Sequence, residues 1–229
     1  MAQCAPLQEL ARTFESASGH RLLIEYGTVA KVMERVAGGE PVEVAIITTP
    51  PLEKLMSAGK LVGTATPLAR VPIGRAVKAG APRPDIRTVA AWRQVLLDAR
   101  VVTYGDPVMG DAAGVRVAQV LQTFGLAELL QAKTRLISPA PGQSGAHYLT
   151  VLFERNETEI AMAPISVLSE TGGIDIVGLL PPELQSPDLI FLAVIPSTCR
   201  HAAESKALID FLSGPAAKAV YGANSLEAD

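Results

Sequence analysis

Apolar residues along the chain recur with two different periods, and the switches between them predict an alternation of helices and strands. Over 6–18, Leu7, Leu10, Ala11 and Phe14 return every three or four positions, with Pro6 in the first turn and Gly19 just past the end, the pattern of an amphipathic helix. Residues 21–26 (RLLIEY) read as a buried strand, and Gly27-Thr28 joins it to a helix expected over 29–37 and stopped by Gly38-Gly39. A second strand is expected at 42–48, a helix at 51–57 closed by Gly59, and a further strand at 69–78 interrupted by Pro72 and Gly74. Such alternation implies parallel strands joined by helical crossovers, because parallel pairing needs a long connection.

Residues 79–85 (AGAPRPD) are Pro-rich punctuation, and a new run of helices and strands follows. Helices are expected at 88–98, 115–124 and 147–156, and strands at 101–104, 135–137, 159–163 and 174–178. Between them lie a Gly-rich loop at 105–114 and a loop at 139–145. The last strong strand is 189–195, followed by a helix at 202–212 and a short one at 216–221. The economical reading is two α/β lobes: 1–76 and 191–229 form lobe one, 77–190 form lobe two, and the strands at 69–78 and 189–195 cross between them.

Composition narrows the class without naming a function. With 229 residues, 48% hydrophobic side chains and a net charge of −3 from 20 basic and 23 acidic groups, the chain is an ordinary globular protein and neither disordered, collagenous nor a coiled coil. No concentrated basic face points to nucleic acid. No window reaches the roughly 18 consecutive apolar residues of a membrane span, so no membrane insertion is expected. The first residues lack the basic and apolar regions of a secretory signal, which leaves a cytoplasmic location open. Cys4 and Cys199 have no spacing signature and are expected to be free thiols.

The most consistent chemical signal is small residues at strand-to-helix turns: Gly27-Thr28, Asp111-Ala112-Ala113-Gly114 and Gly142-Gln143-Ser144-Gly145-Ala146. Such turns expose N–H groups without intrahelical partners, and with the helix dipole they hold a carboxylate or oxyanion without Lys or Arg, although helix capping alone also explains small residues there. Thr28, Ala113 and Ala146 are the candidate anion contacts. Asp111 either repels an anion or hydrogen-bonds a protonated or hydroxylated ligand, while Asp106, followed by Pro107, reads as a turn former. There is no G-x-S-x-G, no H-E-x-x-H, no paired C-x-x-C, no EF-hand loop, no P-loop and no G-x-G-x-x-G. A serine hydrolase, a metal site and a nucleotide cofactor are therefore not expected. His20 and His201 read as surface or capping residues, His147 lies beside an anion turn, and Trp92 reads as core.

The succession GTVAKVMERVAGGEPVEVAIIT, ARVPIGRAVKAGAPRPDI, YGDPVMGDAAGVRVAQVLQTFG, ERNETEIAMAPIS and ESKALIDFLSGPAAKAVY resembles the periplasmic molybdate-binding-protein-like solute-binding proteins of ABC transporters, in order and over nearly the whole chain. The resemblance implies a type 2 periplasmic-binding fold: two α/β lobes joined by two crossing strands, with a small anion held in the cleft by helix N-termini and presented to transporter membrane subunits from the periplasm. Near relatives are similar to aconitate isomerase, so the rival expectation is an enzyme that shifts a double bond in a small tricarboxylic acid. It needs a base near the cleft, and His147, Asp111 and Glu170 are the candidates. A third expectation is a cytoplasmic ligand sensor.

Two departures from the family pattern matter. Where molybdate binders carry a Tyr hydroxyl, this chain has Pro164, which supplies none, and Ser166 is the neighbouring hydroxyl. Family members also begin with an apolar strand before the helix that here begins at Pro6, so the first strand of lobe one is expected to be missing. Either the start is misplaced or truncated, or another segment fills the gap, which leaves a monomer or a strand-exchanged dimer as the expected states.

Overall fold

The computed structural model describes residues 5–27, 29–140, 143–186, 189–224 and 226–228. The chain begins with α1 (Ala5–Ser18), α2 (Val29–Ala37), β1 (Ala45–Thr48), α3 (Thr49–Ser57) and β2 (Leu61–Arg70). It continues through β3 (Ile73–Lys78), α4 (Val89–Asp98), β4 (Val102–Gly105), α5 (Ala112–Thr123), α6 (Ala127–Leu130), β5 (Thr134–Ile137), α7 (Gly145–Glu154), β6 (Ile160–Pro164), α8 (Ile165–Ser169) and β7 (Ile174–Leu179). It ends with β8 (Ile190–Pro196), α9 (Ala202–Leu212) and α10 (Pro215–Ala223). Pro72–Ser186 form one compact unit, and the residues before and after that span form the other.

In the unit built from both ends of the chain, the sheet has the order β1-β8-β2, and β8 runs antiparallel to both neighbours. The expected parallel pairing of consecutive strands is thus not made here: β1 and β2 share a direction but are separated by a strand from the far end of the sequence. Val36, Ile47, Leu55 and Val194 form the core on which α2 and α3 pack. Phe14 of α1 is buried against Phe211 of α9, with ring centroids 5.4 Å apart. The strand expected at 21–26 is absent. Its alternating pattern finds no partner strand among the described residues, Leu23 is 88% exposed, and the Leu22 amide donates to Glu15 Oε1 (2.6 Å) instead.

The strand expected at 69–78 is two strands in two sheets. Pro72 has no N–H to continue a ladder, and the chain changes sheet there: the Val71 amide donates to the Leu189 carbonyl (2.9 Å), whereas the Pro72 carbonyl accepts from Ile165 N–H (2.9 Å). Residues 61–68 lie outside the strand expected at 69–78, yet they form most of β2; Gly63 and Pro67 fall beside irregularities in its pairing with β8. Ahead of β1, Glu43 binds the turn between β8 and α9. Its carboxylate accepts from Arg200 N–H (2.9 Å) and lies 2.9 Å from His201 Nδ1, while Thr198 Oγ1 donates to the Glu40 carbonyl (2.7 Å). Arg200 N–H, His201 and the Cys199 thiol together hold the Glu43 carboxyl at about 2.

In the Pro72–Ser186 unit the sheet order is β5-β4-β6-β3-β7, with β4 parallel to both neighbours and β3 antiparallel to β6 and β7. Trp92 is fully buried, as its apolar helical position predicts, and meets Phe124 edge to face at 6.2 Å. The helix carrying it begins where Thr88 Oγ1 accepts from Ala91 N–H (3.2 Å). In the interior, Thr103 donates to Thr158, which donates to the Ile160 carbonyl (2.7 and 3.3 Å). Arg75 on β3 is wholly buried: Nη2 donates to the Pro84 carbonyl (3.0 Å), Nε and Nη1 have no hydrogen-bond partner among the described residues, and burial lowers the guanidinium to about 10.

Candidate functional site

The strand order contains a switch point. The connection from β4 to β5 through α5 and α6 runs one way across the sheet, and that from β5 to β6 through α7 runs back over β4. Right-handed crossovers then place α5 and α7 on opposite faces, and the crevice beyond the carboxyl ends of such strands is where open α/β sheets bind ligands. The residues that follow β4 and β5 there are 106–111, ahead of α5, and, among the described residues, 138–140 and 143–144, ahead of α7.

Asp111 is the N-cap of α5, and its Oδ1 accepts from Gly114 N–H (2.5 Å). The helix begins three residues earlier than expected because Gly114 lies inside its first turn rather than in the loop. A Cβ on Gly105 would fall within the Asp111 carboxylate, so a bare Cα at the end of β4 is what admits this side chain. Burial lifts the Asp111 carboxyl above the usual carboxylate range; the Gly114 and Ala113 amides oppose the rise and the charge of Asp106 adds to it. Ala113 itself is buried in the same turn.

Asp106 turns the loop, as Pro107 after it suggests: its Oδ1 accepts from Val108 N–H (2.9 Å). Its Oδ2 accepts from Ser138 Oγ (2.7 Å), and its amide donates to the Ile137 carbonyl (3.3 Å). Ser138 thereby ties the two loops together. Sequence reasoning missed it; the available signal was position, since Asp106 and Ser138 are the first residues past the carboxyl ends of β4 and β5. At the crest of the first loop Val108 is 89% exposed.

The start of α7 differs from that of α5. Ser144 Oγ, a neutral group, accepts from His147 N–H (3.1 Å), and the amides of Gly145 and Ala146 remain as first-turn donors without intrahelical acceptors. The Ala146 side chain is buried, so it is the backbone there that can meet a ligand. The His147 side chain is exposed. Pro164, the last residue of β6, is also the cap of α8, with no side-chain hydrogen bond, and Ser166 is half-buried in that helix's first turn.

The structure therefore brings Asp111 and Ala113 into one turn, places Ala146 in the helix start that follows the linked loop, and puts Ser166 after the strand beside β4. Thr28 lies outside the described residues. Glu170 follows the opposite end of α8 from Pro164. Among the described residues no group of three or more His, Cys, Asp or Glu side chains is arranged to hold a metal, and no helix is long and apolar enough to cross a membrane. The chemistry on offer is first-turn backbone donors at the start of α7, and two carboxylates, Asp106 and Asp111, that accept hydrogen bonds around the start of α5.

The model of one protein family, bacterial extracellular solute-binding proteins, matches residues 1–224. The chain belongs to that family. It is 31% identical to an aconitate isomerase of a Pseudomonas species over 222 residues, 93% of this chain and 80% of the isomerase. Among solved structures, the periplasmic molybdate-binding protein of Azotobacter vinelandii is similar with a TM-score of 0.75 at 20% identity, covering 96% of this chain and 93% of that one. The sulfate-binding protein of Mycobacterium tuberculosis is similar with a TM-score of 0.71 at 17% identity, covering 96% and 82%. These likenesses establish the family's fold, the two-lobed α/β type 2 periplasmic-binding architecture expected from the sequence motifs.

Proposed function

We propose that the chain captures a small anion, an organic polycarboxylate in preference to an inorganic oxyanion, at the switch point of the Pro72–Ser186 unit, for delivery to the membrane subunits of an ABC transporter. The observation that supports the reading is the start of α7, whose cap is a neutral hydroxyl and whose Gly145 and Ala146 amides have no intrahelical acceptor. The preference for a carboxylate is supported by the higher identity to the isomerase than to the two oxyanion binders, and by Pro164, which supplies no hydroxyl.

The test is a thermal-shift screen against molybdate, tungstate, sulfate, phosphate, citrate, cis-aconitate and trans-aconitate, since a ligand selective for the native state raises its apparent stability. Stabilisation by the tricarboxylates is expected; stabilisation by molybdate or tungstate alone would replace the preference with an oxyanion one.

The identity to an aconitate isomerase favours a second reading, catalysis of a double-bond shift. That reaction removes a proton from one carbon and returns one at another, and a carboxyl lifted above its usual range, as Asp111 is, suits such a task. Incorporation of deuterium into aconitate from deuterated water, lost in Asp111→Asn, would support it; ligand binding without exchange would leave the transport reading alone.

A further inference from the structure

Arg75 carries a buried charge with no ion-pair partner among the described residues. Its side chain is wholly enclosed, and of its three nitrogens only Nη2 is engaged, by the Pro84 carbonyl (3.0 Å), while Nε and Nη1 have no hydrogen-bond partner among the described residues. The ladder explains why. Met162 on β6 and Gly178 on β7 stand opposite Arg75 and so share its face of the sheet, and neither side chain is a hydrogen-bond acceptor of any strength. Two positions along β3, Asp175 stands opposite Val77, but its oxygens are taken by Gly80 N–H (3.1 Å) and Arg83 (3.3 Å). Burial lowers the guanidinium only to about 10, so it remains charged at neutral pH.

The same place in the sheet leaves room. Gly178 has φ +147, a backbone that side chains rarely adopt, and it falls at the irregularity in the β3–β7 pairing. A Cβ built on it would touch only Ile86 Cδ1, at 3.9 Å. The position opposite the guanidinium on β7 is thus held by a residue with no side chain, under an apolar neighbour.

We infer that Arg75 is an interior binding site for a small monovalent anion of halide size, accepted at Nε or Nη1 beside Gly178. Charge sets the class, because water supplies an acceptor but leaves the charge, whereas a halide supplies both an acceptor and a counter-charge. Size sets it further: the room is that of one absent side chain, and its apolar border does not replace the hydration of a carboxylate or phosphate. The site lies on a strand rather than at a helix start, and it stands or falls independently of the ligand proposed for α7.

Chloride is the probe. Melting temperature is followed as chloride replaces methanesulfonate at constant ionic strength, so that screening does not change while binding does. A rise from about 10 to about 300 mM chloride is expected to lift the wild-type melting temperature by about 3 °C. Arg75→Met removes the charge at similar volume and is expected to show no such lift, melting no lower than the wild type at the lowest chloride. Crystals of the wild type grown with bromide are expected to show an anomalous-scattering peak within hydrogen-bonding distance of the Arg75 guanidinium.

A chloride-dependent lift that disappears in Arg75→Met, together with the bromide peak, upholds the site. Equal lifts in both proteins place the chloride effect elsewhere and overturn it. A wild type indifferent to chloride, or crystals without bromide at Arg75, overturns it as well and leaves solvent to satisfy the guanidinium. Should Arg75→Met fail to fold, the bromide peak decides alone.

Discussion

Gly114, in the first turn of α5, rests against the backbone carbonyl of Gly105 at the end of β4 so closely that no Cβ fits between them. Because the opposing atoms are backbone, they cannot swing away. Gly114→Ala is expected to lower stability by about 3 kcal/mol, the upper part of the usual overpacking range, as read by urea unfolding. Gly105→Ala meets a side-chain carboxylate instead, which can rotate; its smaller stability loss is expected to come with displacement of Asp111 and weakened ligand binding.

The buried Arg75 guanidinium, with two nitrogens lacking partners, makes the opposite prediction from most core positions. Arg75→Met fills similar volume without a charge and is expected to be neutral or to stabilise by about 1 kcal/mol or more. Arg75→Ala removes the charge but opens a cavity, and its melting temperature is expected to fall below that of the methionine variant. A methionine variant clearly less stable than the wild type would show that the guanidinium is satisfied in solution.

Thr103 and Thr158 form a chain with a direction, from Thr103 through Thr158 to the Ile160 carbonyl. Thr158→Val strands the Thr103 proton in a dry interior and is expected to cost about 1–3 kcal/mol. Thr103→Val leaves Thr158 still donating to Ile160 and is expected to cost less. The double variant is expected to be less destabilised than the sum of the two, which a double-mutant cycle reads directly.

Glu43 supplies a pH dependence with a definite sign. Its folded carboxyl titrates at about 2 against an ordinary 4.5, so the stability it contributes is complete above 4.5 and is lost as the pH falls towards 2. Glu43→Gln lacks that contribution. The gap in melting temperature between the wild type and this variant is expected to be widest near neutrality and to close as the pH approaches 2; a gap that does not change with pH would place the effect of Glu43 elsewhere.

Helices were more legible than their ends. The helix at 202–212 spans the residues its apolar spacing predicts and Thr88 caps α4, whereas α5 and α7 begin three and two residues ahead of the expected 115 and 147, where Asp111 and Ser144 cap them. Strand partners were not legible, because they depend on residues far away: nothing within 61–70 announces that it pairs with β8, and nothing within 21–26 announces that it pairs with no described strand. At the candidate site, the small residues of the α5 and α7 starts could be read from sequence. The engagement of Asp111 by its own helix, and the bond from Ser138 to Asp106, required the geometry.

The order in which the strands leave the ribosome differs from the order in which they sit in the sheets. All five strands of the sheet that begins with β3 lie within Pro72–Ser186, so that unit has its whole ladder once Ser186 has been translated. In the other unit the central strand, β8, is the last of the described strands to be made, and among the described strands β1 and β2 have no hydrogen-bonded neighbour until it arrives. The middle of the chain is therefore the part equipped to fold first during synthesis, while β1 and β2 wait for residues 190–196, their partner among the described strands.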